Sequence, residues 1–355
     1  MMNKYYTCTK CGCKECGYNF CPVCDKKKIL LVDVDSKIPN IALMKISTYY
    51  KEQGYKVELK RLGYSYYPKE RNQALIDGSD YDTVFISIIF KINKNVCRII
   101  NCDNVKIGGV GYSLTEELDE QIKGSEKDYS LYPDNKCSYG FITRGCIRNC
   151  YFCVVPKKEG MIHKSNEVDD IVKHKKVIFL DNNILAYSKH LEILKELRDK
   201  KIRCQFNQGL DIRLLNEDNT KLLSELNYLG EYIFAFDNIK DEELINSKLS
   251  LFKKYVPKDW KVKMFLYCNP NMDIESDVVY RVKWCKENKV LPYFMRDETC
   301  WLDKNREFYI DLCAYCNQVS IFKKMSFEEF MRKRTKNIER QNKSILCYTR
   351  LAETL

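Results

Sequence analysis

Three cysteines lie close together near the middle of the chain and could bind a metal centre. Cys146, Cys150 and Cys153 are spaced by four and three residues and follow an apolar run at 141–143, which predicts a buried strand. A structural zinc site takes four protein ligands, and an electron-transfer iron–sulfur cluster takes four thiolates. Three cysteines without an obvious fourth therefore indicate a cluster with one iron open to another ligand. A chance zinc knuckle or buried free thiols are the alternatives.

The same stretch resembles the signature of the radical S-adenosylmethionine (radical SAM) superfamily, in which an aromatic residue, here Phe152, precedes the third cysteine. The resemblance implies a [4Fe–4S] cluster on Cys146, Cys150 and Cys153, with S-adenosylmethionine chelating the open iron. It also implies an electron donor such as flavodoxin or ferredoxin, reductive cleavage of S-adenosylmethionine, and hydrogen abstraction by a 5′-deoxyadenosyl radical. The cofactor would carry this chemistry, and the protein would position it and exclude water.

A second group of cysteines lies at the start of the chain, within residues 1–26. Its CxxC spacing suits tight turns around a metal ion. The simplest closed zinc site would use Cys8, Cys11, Cys21 and Cys24, which leaves Cys13 and Cys16 as spare or alternative ligands. Because spacing alone does not identify the metal, an auxiliary Fe–S cluster and free thiols stay open as alternatives.

The composition predicts a cytoplasmic globular protein. The 355 residues are 45% hydrophobic and 31% charged, no signal-peptide pattern opens the chain, and the longest apolar run, 84–90, is far too short for a membrane span. The 19 cysteines cluster in metal-binding spacings rather than as a disulfide framework, which favours a reducing compartment. The net charge of +11 permits an anionic partner such as nucleic acid without establishing one.

Hydrophobic patterning predicts a small Rossmann-like parallel sheet over residues 27–130. Strand patterns occur at 29–33, 55–59, 83–90 and 105–110, with helical patterns at 40–53 and 115–122. A Rossmann-like unit ahead of a radical SAM core resembles superfamily members that carry a cobalamin-binding-type domain. The cobalamin signature of those members has a histidine after the first strand, but residues 33–38 contain none; the histidines of this chain are His163, His174 and His190. We therefore do not expect cobalamin.

The second half of the chain predicts a partial barrel. Six strand patterns, at 141–143, 177–181, 202–206, 232–236, 262–267 and 290–295, alternate with helical patterns near 188–200, 217–229, 241–254 and 276–288. A full eight-unit barrel needs about 250 residues, so a six-stranded (β/α) barrel fits residues 137–300 better. The predicted fold is α/β, with this radical SAM core preceded by the Rossmann-like sheet and a Cys-rich N-terminal knuckle, and followed by a basic helical extension at 301–355.

Polar residues at the carboxyl ends of these strands are candidate cofactor ligands, because parallel barrels place their chemistry there. Asp181, Asn182 and Asn183 end the second strand, where the family carries a motif that orients the methionine amine; an Asx turn is the alternative. The remaining candidates follow the third and fourth strands: Asn207, Arg213 and Asp237. Arg213 would pair with the methionine carboxylate, or would simply form a surface ion pair, and Asp237 would hold ribose hydroxyls.

The sequence therefore predicts a radical SAM enzyme with an unidentified substrate, and charge and the N-terminal knuckle favour a nucleic acid. The alternative is a non-catalytic Fe–S or zinc protein that binds nucleic acid or senses redox state. A basic stretch at 323–343 could contact a polyanion or form a solvated helix. Cys313 and Cys316 are predicted to be buried thiols on a helix.

Overall fold

The computed structural model describes residues 27–64 and 73–349, together with the isolated positions 7 and 9. The cysteines predicted as a second metal site, Cys8, Cys11, Cys21 and Cys24, lie outside the described residues. The chain forms two compact units that divide between Asn135 and Lys136. The finer division into four segments stays a prediction.

The first unit is built on a parallel four-stranded sheet. Its strands and helices are β1 (Lys28–Asp33), α1 (Ile41–Glu52), β2 (Lys56–Arg61), β3 (Ala74–Asp77), β4 (Thr83–Ser87), β5 (Cys97–Ile100), β6 (Val105–Gly108) and α2 (Glu120–Lys123). The strand order is β2-β1-β4-β6, and β3 and β5 form a separate parallel pair. This arrangement is compatible with the predicted Rossmann-like domain.

The loop that follows β1 is tied to the loop that follows β4. Asp35 is buried, and its carboxylate accepts hydrogen bonds from the backbone N–H groups of Ile89 and Phe90 and from the side chain of Asn93, at 2.8, 3.0 and 3.0 Å. Because residues 33–38 hold no histidine, this loop does not fit a cobalamin ligated by imidazole.

The second unit alternates strands with helices. Its first ten helices and strands are β7 (Ser138–Gly140), β8 (Thr143–Arg144), α3 (Val155–Lys158), β9 (His163–Lys164), α4 (Val168–Ile171), β10 (Lys176–Phe179), α5 (His190–Asp199), β11 (Arg203–Phe206), α6 (Glu217–Glu225) and β12 (Tyr232–Ala235). It continues with α7 (Glu242–Tyr255), β13 (Val262–Cys268), α8 (Tyr280–Glu287), β14 (Leu291–Arg296), α9 (Arg306–Cys316), α10 (Val319–Lys324), α11 (Phe327–Arg334) and α12 (Ile338–Thr349). A π-helical turn, Ile274–Val279, leads into α8.

Six strands of this unit form two parallel sheets, and in each sheet the neighbouring strands come in the order in which they occur in the chain. Strands β7, β10 and β11 form one parallel sheet, and β12, β13 and β14 form another. The N–H of Leu210 donates to the carbonyl of Ile233 at 2.7 Å, which joins the segment after β11 to β12. Phe179, Phe206 and Phe234 are fully buried in the core against the helices. The predicted α/β class with parallel sheets is confirmed.

Two predicted elements are wrong. The strand expected at 141–143 lies instead at Ser138–Gly140, and of the expected residues only Thr143 is in a strand, the short β8 that pairs with β9. The N–H groups of Ile142 and Thr143 donate to the carboxylate of Asp181, so β7 does not continue through them. The helix expected at 115–122 is confined to α2, because Ser113 Oγ accepts from the N–H groups of Thr115 and Glu116 and holds them in a turn. None of the described helices combines the length and apolar character needed to cross a membrane.

Candidate metal and cofactor site

The three-cysteine loop follows β8 directly, and its first cysteine lies close to the far end of the loop. The N–H of Cys146 donates to the carbonyl of Gly160 at 3.1 Å, and the N–H of Cys153 donates to the carbonyl of Cys150 at 3.0 Å. Gly145 has φ +83°, and a Cβ added there would lie 2.3 Å from the carbonyl oxygen of Met161. Only glycine permits this approach, so the backbone fixes where Cys146 enters the loop.

All three thiols are half-buried, and they lie close enough to influence one another electrostatically. Burial raises the pKa of Cys150, and the neighbouring Cys153 thiol and the Asp237 carboxylate raise it further. Burial likewise raises the pKa of Cys153, with a smaller contribution from Cys146. Because only a thiolate binds metal, cations at this loop would have to supply the charge that makes deprotonation favourable.

The donor set is of the type that holds an iron–sulfur cluster. Such clusters are bound by cysteine thiolates, each on its own iron, whereas a structural zinc site takes four protein ligands around one ion. Residues 141–162 contain three cysteines and no fourth, which fits a cluster with one open iron.

The residues at the end of β10 hold this loop in place. Asp181 is fully buried and accepts from the N–H groups of Ile142 and Thr143, at 3.2 and 2.5 Å, and from Thr143 Oγ1 at 2.8 Å. The next residue, Asn182, accepts from the N–H of Gly145 at 3.0 Å. Burial raises the pKa of Asp181 to about 6, although the hydrogen bonds from Thr143 and Ile142 oppose the shift.

Asn183 completes this set and contacts a cysteine directly. Its amide nitrogen donates to Sγ of Cys146 at 3.4 Å. Its buried Oδ1 has no hydrogen-bond partner among the described residues. Contact of residues 181–183 with S-adenosylmethionine stays a prediction, while the structure places their side chains against the loop itself.

Arg213 lies in an ion-pair network that reaches the same loop. Asp211 accepts from Arg213 Nε and from Arg148 Nε, both at 2.8 Å, and Arg213 also donates to Asp241 at 3.0 Å. Burial would raise the pKa of Asp211, but the hydrogen bonds from the two arginines outweigh it and lower the pKa. Arg213 therefore already faces two carboxylates, and its predicted pairing with the methionine carboxylate would have to compete with them.

Sequence reasoning missed Arg148, which lies between two of the three cysteines. Its backbone N–H donates to Sγ of Cys146 at 3.3 Å, and its side chain reaches Asp211. The sequence contained one signal for this pairing. Arg148 is a basic residue inside the cysteine loop, and an acid, Asp211, precedes Arg213 by two residues. The network therefore links the loop to the end of β11, where the half-buried Asn207 donates its N–H to the carbonyl of Phe179 at 2.9 Å.

Asp237 follows β12 and lies next to Tyr267 on β13. The N–H of Tyr267 donates to Asp237 at 2.8 Å, and its hydroxyl donates to Asp297 at 2.8 Å. Burial raises the pKa of Asp237 to about 6, opposed by the Tyr267 N–H and by Arg281. The Tyr267 ring stacks on Phe152 of the cysteine loop, with centroids 3.9 Å apart and planes 11° apart. The loop is therefore packed onto the carboxyl ends of β12 and β13.

Arg281 binds the ends of β12 and β13, and it too was not identified from the sequence. It is fully buried, pairs with Asp277 at 2.5 Å, and donates to the carbonyls of Phe236 and Tyr267 at 2.8 and 3.1 Å. A buried arginine that binds backbone carbonyls fixes the positions of the two strands. Nothing in its helical sequence context distinguishes it from a surface arginine.

Comparison with known proteins finds no matching family model. Three curated relatives, each named tRNA-2-methylthio-N(6)-dimethylallyladenosine synthase, share partial similarity. The Sulfurihydrogenibium protein is 25% identical over 203 residues, which cover 49% of this chain and 46% of the relative. The Aquifex aeolicus protein is 34% identical over 95 residues (23% and 21%), and the Hydrogenobaculum protein is 31% identical over 121 residues (30% and 27%). The chain thus spans less than half the length of these relatives.

These relatives are radical SAM enzymes. The resemblance of the cysteine loop to that superfamily is therefore confirmed. Because the chain spans less than half of each relative, an enzyme activity that uses a [4Fe–4S] cluster and S-adenosylmethionine is a proposal for this chain.

Proposed function

We propose that this protein modifies a nucleoside of tRNA by radical SAM chemistry, with the cluster held by Cys146, Cys150 and Cys153. The observation that carries the proposal is the cysteine loop: three half-buried thiols are presented at the carboxyl ends of parallel strands, and side chains from the next strand fix the loop. A loop of free thiols would not need three consecutive side chains, two accepting hydrogen bonds and one donating, to set its shape.

The residues around the loop take distinct parts in this proposal. When bound, the cluster and S-adenosylmethionine supply one-electron cleavage of the sulfonium bond and abstraction of a hydrogen atom. Asp181 and Asn182 hold the loop backbone, and Asn183 orients Cys146. Asn207, Arg213 and Asp237 lie at the strand ends that would face S-adenosylmethionine.

The order of the parallel strands in the second unit supports the proposal. Six parallel strands in chain order, with a hydrogen bond between the segment after β11 and β12, are what a six-stranded partial barrel over residues 137–300 requires. The N-terminal cysteines would form a second metal site, as zinc or an auxiliary cluster.

Transfer RNA as the substrate rests on the names of the relatives and on charge. All three relatives are named for a modified tRNA nucleoside, and a net charge of +11 suits a polyanionic partner. An electron donor such as flavodoxin or ferredoxin would supply the reducing electron, and the reaction would take place in the cytoplasm.

The test is a product analysis under anaerobic conditions. Reconstituted protein, a reductant and S-adenosylmethionine are incubated with tRNA from cells that lack this protein, and the digested nucleosides are examined by mass spectrometry. We expect a nucleoside of altered mass that needs S-adenosylmethionine and is absent with Cys150→Ala. Formation of 5′-deoxyadenosine without any altered nucleoside would contradict tRNA as the substrate and leave the enzyme class intact.

A further inference from the structure

Aromatic side chains line one face of the sheet formed by β12, β13 and β14, from strand β14 to the cysteine loop. Strands β13 and β14 pair in register, with Phe265 opposite Tyr293, and their ring centroids are 5.4 Å apart. Two residues further along β13, Tyr267 lies on the same face and stacks on Phe152. We call Phe152, Tyr267, Phe265 and Tyr293 the aromatic row.

The aromatic row faces away from the helical core. The alternate β13 residues Met264, Leu266 and Cys268 are fully buried among the core side chains, so Phe265 and Tyr267 point to the opposite face. β14 is the edge strand of this sheet. Tyr293 on that strand is 43% exposed, and Tyr151 in the cysteine loop is 73% exposed. The row is therefore open to solvent at Tyr293, whereas Tyr267, which is 7% exposed, is covered by Phe152 where the row reaches the cysteine loop.

The segment that follows β11 borders the row at Gly209. This residue has φ +103°, and a Cβ there would lie 3.8 Å from the Phe265 ring. Because this backbone conformation favours glycine, the position keeps a bare backbone beside the ring.

We infer that the aromatic row is a stacking platform for an unpaired nucleobase, which it brings next to the cysteine loop. The inference rests on the proposed function and adds how the RNA is held. Proteins recognise single-stranded RNA by stacking splayed bases on aromatic side chains, and each stacked base contributes about 1–3 kcal/mol. A row of rings that ends on Phe152, between Cys150 and Cys153, places such a base beside the proposed cluster.

A base suits this surface better than an aliphatic side chain would. The tyrosines carry hydroxyls, and the polar groups around them, Asp297 on Tyr267 and Asn269 on Tyr151, can meet the hydrogen-bonding edge of a base. The net positive charge of the chain favours binding of the phosphates on either side of that base. The occupant is therefore an unstacked base within an RNA single strand rather than a duplex, whose bases are already stacked.

The test uses the reconstituted full-length protein and a synthetic RNA hairpin with 2-aminopurine as one loop base; the stem closed as a continuous duplex is the second probe. We expect the wild type to quench the 2-aminopurine fluorescence and to bind the hairpin more tightly than the duplex. Tyr293→Leu should abolish the quenching and weaken hairpin binding about tenfold, while Tyr293→Phe should keep both. Tyr255→Leu, on the outer helix α7, is the matched control and should behave as the wild type.

The outcomes separate this inference from the proposed function. Hairpin binding and quenching that survive Tyr293→Leu would overturn the stacking platform while leaving RNA as the substrate. Equal wild-type binding of hairpin and duplex would also overturn it. No hairpin binding by the wild type would contradict the RNA substrate and the platform together. Circular dichroism of each variant tests whether a loss is one of folding; we expect none, because Tyr293 is 43% exposed and lies outside the buried core cluster.

Discussion

The side-chain amide of Asn183 donates a hydrogen bond to Sγ of Cys146 across 3.4 Å, and the backbone N–H of Arg148 donates to the same sulfur at 3.3 Å. Asn183 is 3% exposed, so its donor is fixed against the thiol. Hydrogen bonds to cluster sulfurs help to set the reduction potential, because they stabilise the more negative, reduced state. Cys146 is therefore the proposed ligand whose charge the protein offsets most directly.

Replacing Asn183 by leucine should lower the midpoint potential of the cluster. Asn183→Leu keeps the size of the side chain but removes the N–H group that donates to Cys146. The potential is measured by a redox titration of the reconstituted protein followed by EPR. Asn207→Leu, the same change at the end of the next strand, is the control and should leave the potential unchanged. An unaltered potential in a fully loaded Asn183→Leu protein would refute the role of this hydrogen bond.

Asp181→Asn should destabilise the protein by about 1–3 kcal/mol. The amide would turn an NH₂ group toward one of the N–H donors of Ile142 and Thr143, which would leave a buried donor unsatisfied. Urea unfolding measures the change in free energy. The exposed Asp199, paired with Arg198, is the matched site, and Asp199→Asn should change the free energy by less than about 0.5 kcal/mol. Equal effects at the two positions would show that Asp181 does not hold the loop.

Asp211 should stabilise the fold at neutral pH and lose that contribution in acid. Its pKa in the folded chain is lowered by Arg213 and Arg148, although burial opposes the shift. The contribution is therefore present above the unfolded pKa of about 3.9 and is lost as pH falls through the lower folded value. The free-energy difference between wild type and Asp211→Asn should be constant from about pH 7 to 5 and shrink below about pH 4. A difference that grows in acid would contradict this sign.

Asp311 should anchor the two C-terminal helices. It is fully buried on α9 and accepts from Arg334, Arg340 and Ser344 at 2.6, 2.6 and 3.0 Å. Asp311→Asn should cost about 3 kcal/mol and speed hydrogen exchange in α11 and α12, because two arginines lose their partner. Glu328→Gln, at an exposed pair 3.9 Å long, is the control and should change neither. Unchanged exchange in Asp311→Asn would place the anchor elsewhere.

The Asp311 network also bears on the basic stretch at 323–343. Two of its arginines, Arg334 and Arg340, are partners of Asp311 inside the unit. Contact with a polyanion, which stays a prediction, would therefore fall to the other exposed basic residues of the stretch: Lys323, Lys324, Arg332, Lys333, Lys336 and Lys343.

Local patterns were sufficient for the elements whose cause is local. The apolar runs predicted β12 and β13 to within a few residues. Helix α9 carries Cys313 and Cys316, as expected from the helical spacing. In each case the stabilising contact lies within a few residues of the pattern that reveals it.

Elements set by distant partners were not predictable. The backbone at Ile142 and Thr143 does not continue β7, because its N–H groups bind Asp181, nearly forty residues later in the chain. The cysteine spacing likewise revealed the loop but not the roles of Arg148 and Tyr267. These roles depend on contacts with residues distant in the chain: Arg148 with Asp211, and Tyr267 with Phe152. The short strands β3 and β5 carry no distinct alternation and were missed for that reason.

The most direct test of the central claim is the EPR spectrum of the reduced, reconstituted protein before and after S-adenosylmethionine is added, with 5′-deoxyadenosine measured in the same samples and tRNA present. The account predicts a spectrum that changes on addition and 5′-deoxyadenosine that accumulates, with both effects lost in Cys150→Ala. A fully loaded wild-type cluster whose spectrum does not respond and which forms no 5′-deoxyadenosine would contradict the assignment of Cys146, Cys150 and Cys153 as its ligands, as would an unimpaired Cys150→Ala protein.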